Sequence, residues 1–297
     1  MRGSTMAITV TRIARYPVKS CKGEPVQSAG VEPWGLAGDR RWMIVDSGGS
    51  AVTAREHPPL LLVTPRADGM VMRFARPLAP DLVLAAPPAG ELLPVDVWGT
   101  RLLATTAGEQ SAAWFSEVTG VPVRLVYLDD PSRRHPNPGF SQPGDVVSFA
   151  DGYPLLLASE DSLVSLNDLI VAGPLADEGP MSMQRFRPNV VVAGAPAWAE
   201  DRWRRIRIGS VVFRAVKGCD RCVLTTIDPE TAERGKEPIA TLARYRKWDG
   251  KVWFGVNLIP DQPASGDAIR VGDPVEILAE ADSEGPLRQP AAVAVTA

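Results

Sequence analysis

The sequence predicts a mostly β chain with some helix, of the α+β class, whose first half forms a small barrel or strongly curled sheet. Three observations carry this. The 26 glycines and 28 prolines are spread along 297 residues rather than gathered in one linker, so helices are broken repeatedly. Apolar and polar residues alternate over short runs bounded by turn residues. Only a few windows could hold a helix of three turns.

In chain order, Ile8 to Tyr16 reads as a strand that ends at Pro17, which cannot donate to a ladder in mid-sheet. Val26 to Val31 follows, and the loop Gly35 to Arg40 leads into a strong strand, Arg41 to Asp46. Ser47-Gly48-Gly49-Ser50 turns the chain so that Ala51 to Ala54 pairs back. Leu60 to Thr64, Gly69 to Phe74, Asp81 to Ala85 and Leu93 to Val97 keep the strand-turn rhythm, and Trp98-Gly99-Thr100 turns into another. Gly108 to Val118 places Ala112, Phe115 and Val118 on one helical face, and Gly120 stops it. Val123 to Tyr127 is a further strand. Asp129 to Asp145 is rich in proline and glycine and reads as a boundary or mobile loop.

Beyond it, Val146 to Phe149 and Leu155 to Ala158 read as strands. Ser159 suits the N-cap of a helix through Leu169, with Glu160 and Asp161 in its first turn and Leu163, Leu166 and Ile170 inward. Val190 to Val192 is an apolar strand. Trp203 to Ile208, the turn Gly209-Ser210 and Val211 to Val216 form a hairpin that runs into Cys219 and Cys222. Thr225 to Pro229 reads as strand and turn. Pro238 opens a short helix with Ile239, Leu242 and Tyr245 inward. Lys251 to Asn257 and Ala268 to Ile277 close the fold, and the Ala/Pro/Glu-rich end reads as a frayed tail.

With 45% hydrophobic residues the chain can bury a large core and is long enough for two domains. The formal net charge of −3 and the lack of a basic stripe speak against nucleic acid. Three cysteines do not make a disulfide scaffold, and no run of eighteen apolar residues predicts a membrane span. Met1-Arg2-Gly3-Ser4 reads as a vector scar as easily as a native start. A soluble intracellular protein is the expectation.

The sharpest chemical feature is Cys219-Asp220-Arg221-Cys222 at the end of a strand. Spacing alone leaves three readings open: inert thiols, a dithiol redox pair, and ligation of a metal or metal-bearing cofactor. Lys19, Arg40, Arg185, Arg187 and Arg221 stand at strand ends or in loops, with Ser20 and Ser159 as hydroxyls, a set suited to a phosphate. Solvated or carboxylate-paired arginines are the plainer reading of each. Asn189 suits a buried carbonyl as well as a ligand, and Asp228 a turn as well as a substrate. His57 and His135 lack ligand partners in sequence, Cys21 reads as structural, and no Gly-x-Ser-x-Gly elbow supports a serine hydrolase.

The chain resembles the MOSC-domain family of molybdenum-cofactor-binding proteins, which includes the mitochondrial amidoxime-reducing component and its bacterial relatives. The matching stretches are Tyr16 to Gly23, Gly38 to Met43, Thr53 to Arg55, Ser159-Glu160, Phe186 to Asn189, Cys219 to Pro229, Glu237-Pro238 and Phe254 to Asn257. The resemblance implies a β-barrel-like N-terminal domain over residues 6–128, a linker or mobile loop over 129–145, a barrel-containing MOSC domain over 146–280 and a flexible tail over 281–297. It implies the molybdenum cofactor (molybdenum on molybdopterin), not pyridoxal phosphate, with Cys222 as thiolate on the metal. Lys19, Ser20, Arg40, Ser159, Arg187 and Asn189 would line the pterin and its phosphate, and Asp228 the substrate face. Cys219 would be a neighbour of the ligand.

The activity implied is reduction of N-hydroxylated small molecules (amidoximes, hydroxylamines, N-hydroxylated bases) to the amidine or amine. No cysteine follows Cys222, so electrons are expected from a separate donor such as a ferredoxin or flavoprotein reductase system. The N-terminus shows no targeting region, which predicts a cytoplasmic protein of bacterial type. Two other classes stay open: a cofactor carrier or sulfur-transfer protein, and a dithiol redox protein using Cys219 and Cys222.

Overall fold

The computed structural model of the chain describes residues 7–68 and 71–282. Gly69 and Met70 of the expected strand, and the expected tail from residue 283 on, lie outside the described residues. The largest sheet has nine strands. Its order is Val275–Glu280, Trp203–Ile208, Val211–Asp220, Lys251–Pro260, Leu155–Ser159, Val190–Ala193, Thr9–Arg15 and Glu24–Val26, with Lys247–Trp248 paired to Lys251–Pro260. Leu155–Ser159 and Val190–Ala193 run parallel and the other pairs antiparallel, so the sheet is mixed. A four-stranded sheet orders Trp42–Val45, Arg124–Tyr127, Thr100–Thr106 and Leu92–Val97. Two three-stranded sheets complete the set.

None of these sheets closes into a barrel, which corrects the expectation of a barrel in either half. The nearest approach is an isolated bridge between Thr9 and Pro274, where the two flanks of the large sheet meet at one corner. The fold is α+β with open sheets.

Burial follows the strand period of two. Val190 and Val192 enter one core with Ile13, Leu157, Ile206, Phe213 and Leu258. Val191 faces the other side, where helices α2 (Glu160–Val171) and α3 (Ile239–Tyr245) bring Leu166, Ile170 and Leu242. Trp42–Val45 divides the same way: Trp42 and Ile44 join Phe74 and Phe115, while Met43 and Val45 join Val95 and Phe149. Strands buried on both faces therefore read as unbroken apolar runs.

The punctuation residues act where the sequence places them. Gly120 caps α1 (Glu109–Thr119) in the left-handed region at φ 74°, its N–H bonded to Ser116 O. The Ser159 hydroxyl accepts from Ser162 N at the start of α2, with Glu160 and Asp161 against the helix dipole. In α3, however, Tyr245 is exposed and Thr241 is buried instead. Thr241 is drawn inward because its N–H and hydroxyl both bond the Glu237 carboxylate.

Several expected strands differ: Val26 to Val31 divides between Glu24–Val26 and Ser28–Glu32 in separate sheets, Ala51 to Ala54 forms only an isolated bridge at Ala51, and three more take other forms. Pro58–Leu62 is a 3-10 turn, because Pro58 and Pro59 have no N–H for a ladder and suit a helical first turn. Val223–Thr226 is likewise a 3-10 turn, with Cys222 at its N-cap, so only Ile227 pairs as an isolated bridge. Val146 to Phe149 is irregular yet buried, and carbonyls at and just beyond its end meet a buried arginine rather than a neighbouring strand. The Arg134 guanidinium donates to Ser148 O, Ala150 O and Asp151 O. Burial pulls the Arg134 pKa down to about 10 although Asp151 opposes this, so it remains a cation at neutral pH.

Arg134→Met keeps much of the side-chain volume and strands three carbonyls. It is expected to lower the unfolding free energy by about 3 kcal/mol, the scale of leaving buried polar groups unpaired. Urea denaturation of the variant against the native chain checks this.

Candidate functional site

Just before the cysteines, the strand Val211–Asp220 slips register against Lys251–Pro260 twice, between Ala215 and Lys217 and between Gly218 and Asp220. Such bulges bend a strand and re-aim its side chains. Opposite them, Gly255 has φ 78°, and a Cβ there would stand 2.7 Å from Leu157 O. The slipped strand delivers Cys219 at its end, and Cys222 begins the 3-10 turn. Both are free and half-buried.

They open on a cleft of about 470 Å³. Six cations line it (Lys19, Arg40, Arg55, Arg187, Lys217 and Arg221) against two carboxylates, Asp151 and Asp220. This excess of four positive charges makes an anion the complementary ligand. Lys19, Ser20, Arg40, Arg187, Asn189 and Cys222, all named from sequence, lie in this one lining.

The cleft divides into two regions. In the first, the guanidinium carbons of Arg40 and Arg187 lie 4.3 Å and 4.4 Å from the centroid of the Tyr16 ring. Arg40 is fixed by Asp39 (2.6 Å) and by Asn189 Oδ1 (2.8 Å). Arg187 has no carboxylate partner among the described residues, and burial lowers its pKa from the usual arginine value. Ser20, Arg40 and Arg187 all have left-handed backbones, at φ 72°, 46° and 56°. Strained non-glycine residues of this kind cluster at ligand clamps.

In the second region, Arg55 Nε donates to Cys222 Sγ at 3.2 Å and its Nη2 to Asp151 Oδ2 at 2.9 Å. Burial works against the Arg55 charge, but Asp151 and Cys222 outweigh it and raise its pKa. Lys19 Nζ donates to Phe149 O at 2.9 Å and also to Asp151. Burial brings the Lys19 pKa down to about 8, with Asp151 acting the other way. Burial alone would raise the Asp151 pKa, yet Lys19 and Arg55 hold it well below the usual carboxylate range. Cys219 has its own partner, Arg221 Nη1 at 2.8 Å, and burial raises its thiol pKa although Arg221 opposes this.

Three residues named from sequence, Ser159, Arg185 and Asp228, stand outside the lining. Ser159 is fully buried as the cap of α2. Asp228 shapes its own turn, accepting from the N–H groups of Glu230 and Thr231, and pairs with Arg185 at 2.8 Å. His57 and His135 bond backbone carbonyls away from the cleft, and Cys21 is fully buried. Arg55, Asp151 and Trp98 line the cleft without having been singled out for a role. Arg55 lies 167 positions from Cys222, a juxtaposition that no local pattern encodes.

Residues 7–122 match the family described as the MOSC N-terminal beta barrel domain, and residues 144–276 match the MOSC domain. Mitochondrial amidoxime-reducing component 1 of Homo sapiens is 34% identical over 291 residues, covering 92% of this chain and 83% of that protein. Mitochondrial amidoxime reducing component 2 of Homo sapiens is 34% identical over 288 residues, covering 90% and 82%. Molybdenum cofactor sulfurase of Oryza sativa subsp. japonica is 32% identical over 268 residues, which is 84% of this chain and 32% of that protein.

The protonation of Lys19 gives a test of the second region. Its Cε shift in NMR is expected to titrate near pH 8. Asp151→Asn removes the charge that raises the Lys19 pKa, so the midpoint is expected to move to lower pH. A midpoint that stays put would show that the two side chains do not share charge.

The chain belongs to the MOSC-domain family, as a homologue of the mitochondrial amidoxime-reducing components. The family binds the molybdenum cofactor, and membership supports an enzymatic oxidoreductase role linked to it. The expectation of a cytoplasmic location is corrected, because relatives that carry the family assignment are mitochondrial proteins by name. No helix among the described residues is long and apolar enough to cross a membrane.

Proposed function

We propose that this chain is a molybdenum-cofactor-dependent reductase that takes oxygen from N-hydroxylated small molecules. The observation that carries the reading is the single thiol of Cys222, held by Arg55 at 3.2 Å in a strongly cationic cleft. The donor set fits the group. No cluster of three or more His, Cys, Asp or Glu able to hold a metal occurs among the described residues. A metal arriving with its own sulfur ligands needs only one soft thiolate from the protein. A phosphate on the same carrier would suit Arg187, a cation without a carboxylate partner among the described residues, with Arg40 beside it.

In this reading Cys222 is the metal ligand. Lys19, Ser20, Arg40 and Arg187 bind the pterin and its phosphate, and Asn189 aligns Arg40. Ser159 and Asp228 act as supports, one capping α2 and the other fixing the turn after the cysteines. Arg55 orients the Cys222 sulfur, and Asp151 holds Arg55 and Lys19 in register. When bound, the cofactor supplies the two-electron exchange. The net change turns an N–OH group into N–H and water, using two electrons and two protons. The electrons come from a separate redox partner of the ferredoxin or flavoprotein reductase type.

Protein made in a host that synthesises the cofactor is expected to contain about one molybdenum per chain and to reduce an amidoxime when given an artificial electron donor. Cys222→Ser is expected to lower turnover by more than about 100-fold, beyond the effect of losing a ligand's supporting hydrogen bond. Bound pterin without turnover would point to a carrier instead. A reversible Cys219–Cys222 disulfide titrating as a two-electron couple would point to dithiol chemistry.

A further inference from the structure

Val97 pairs with Thr100 across a two-residue loop, Trp98-Gly99, in which both residues have positive φ (55° and 85°). Such a loop favours Asn-Gly or Asp-Gly, because only small or locally hydrogen-bonding side chains tolerate this backbone. A tryptophan in the first position is a conformational outlier. Nothing in the hairpin core holds it there, since Trp98 is 50% exposed. Its ring leans over the cleft instead. The Arg55 guanidinium carbon lies 4.6 Å from the ring centroid and Lys19 Nζ 5.2 Å from it. Trp98 is thus a large, rigid apolar surface on the rim of a strongly cationic cleft, next to the arginine that touches Cys222.

Neither a turn role nor a packing role accounts for the residue. The turn would be better served by asparagine, and the exposed ring contributes little to a core. Backbone strain kept at a cleft rim is better explained by a ligand. The side chain has two χ angles and is held against two cations, so it offers a flat face at low entropic cost. The complementary ligand is flat and unsaturated.

We propose that Trp98 is a substrate-positioning and specificity-determining residue, a stacking platform that favours N-hydroxylated compounds carrying an aromatic ring over small aliphatic ones. This rests on the N-oxygenated substrate class proposed above. The platform turns the ring outward against the indole and directs the N–OH end toward Cys222. Stacking of one aromatic pair sets the scale of the preference at about threefold to tenfold.

The test compares the native chain with Trp98→Asn, which suits the turn, and Trp98→Phe, which keeps a ring. A phenyl-substituted amidoxime and its methyl-substituted counterpart serve as probes. Equilibrium binding is measured by calorimetry and turnover with an artificial donor, on cofactor-loaded protein of equal molybdenum content. Trp98→Asn is expected to melt no lower than the native chain. Its Kd and KM for the phenyl compound should rise about threefold to tenfold relative to those for the methyl compound. Trp98→Phe is expected to keep most of the preference. Equal losses for both compounds, or no change for either, would overturn the platform. Native, molybdenum-loaded protein that reduces neither compound would sink the proposed reaction, while the binding comparison would still decide the role of Trp98.

Discussion

One buried amide holds the two halves of the chain and the cleft together. Asn189 sits between a strand from the start of the sequence and one from its middle. Its Nδ2 donates to Ala14 O, and its Oδ1 accepts from Leu156 N and from Arg40 Nη1. Its backbone also bonds both neighbours, the N–H to Leu156 O and the carbonyl to Ala14 N. At 1% exposure, any of these groups left unpaired would carry the full cost of a buried polar atom. The network is satisfied only when all three segments are in place, so one residue couples sheet assembly to the orientation of a cleft arginine.

Around that joint the structure concentrates both strain and charge. Among the described residues with positive φ that are not glycine, Ser20, Arg40, Trp98 and Arg187 all line the cleft. Gly23 makes room for the Tyr16 ring, since a Cβ at residue 23 would come within 2.4 Å of it. With Arg40 and Arg187 against that ring, two like charges stand near one another in a half-buried place. Asp39 pairs with Arg40 at 2.6 Å, so of these two cations Arg187 is the one without a carboxylate partner among the described residues.

Much of the local structure was legible in the sequence, and the reason differs by element. Gly120, Ser159 and the Gly209-Ser210 turn act through backbone geometry or a hydrogen bond within a few residues, which local sequence encodes. The strand Val190–Ala193 was readable as an apolar run, but its parallel partner was not, because strand pairing is decided far away. Pro58-Pro59 was misread since an apolar run after prolines fits strand and 3-10 turn alike until packing chooses. Val146 to Phe149 was misread because Arg134 stands in for a strand, and nothing in sequence marks an arginine as buried. The open sheets were hidden for the same reason: curl can be guessed from short strands, whereas closure depends on which edges meet. In the cleft, Lys19, Arg40, Arg187 and Cys222 stood out by residue type and by family resemblance. Arg55 and Asp151 become visible only when the fold brings them to Cys222 and Lys19.

The placement of Thr9–Arg15 between Val190–Ala193 and Glu24–Val26 bears on the order of events during synthesis. Ala14 and Asn189 are separated by 175 positions. At about 5–20 residues per second, the first strand of the chain spends roughly 9–35 s without its inner partner. Over that interval an apolar segment with one open edge is exposed to other chains. The bulge that shifts its register between Val10 and Arg12, and the arginines at positions 12 and 15, give that edge the irregularity and charge that discourage mispairing. Assembly of the cleft is thus a late event by construction, and a strand made early is among the last to be locked.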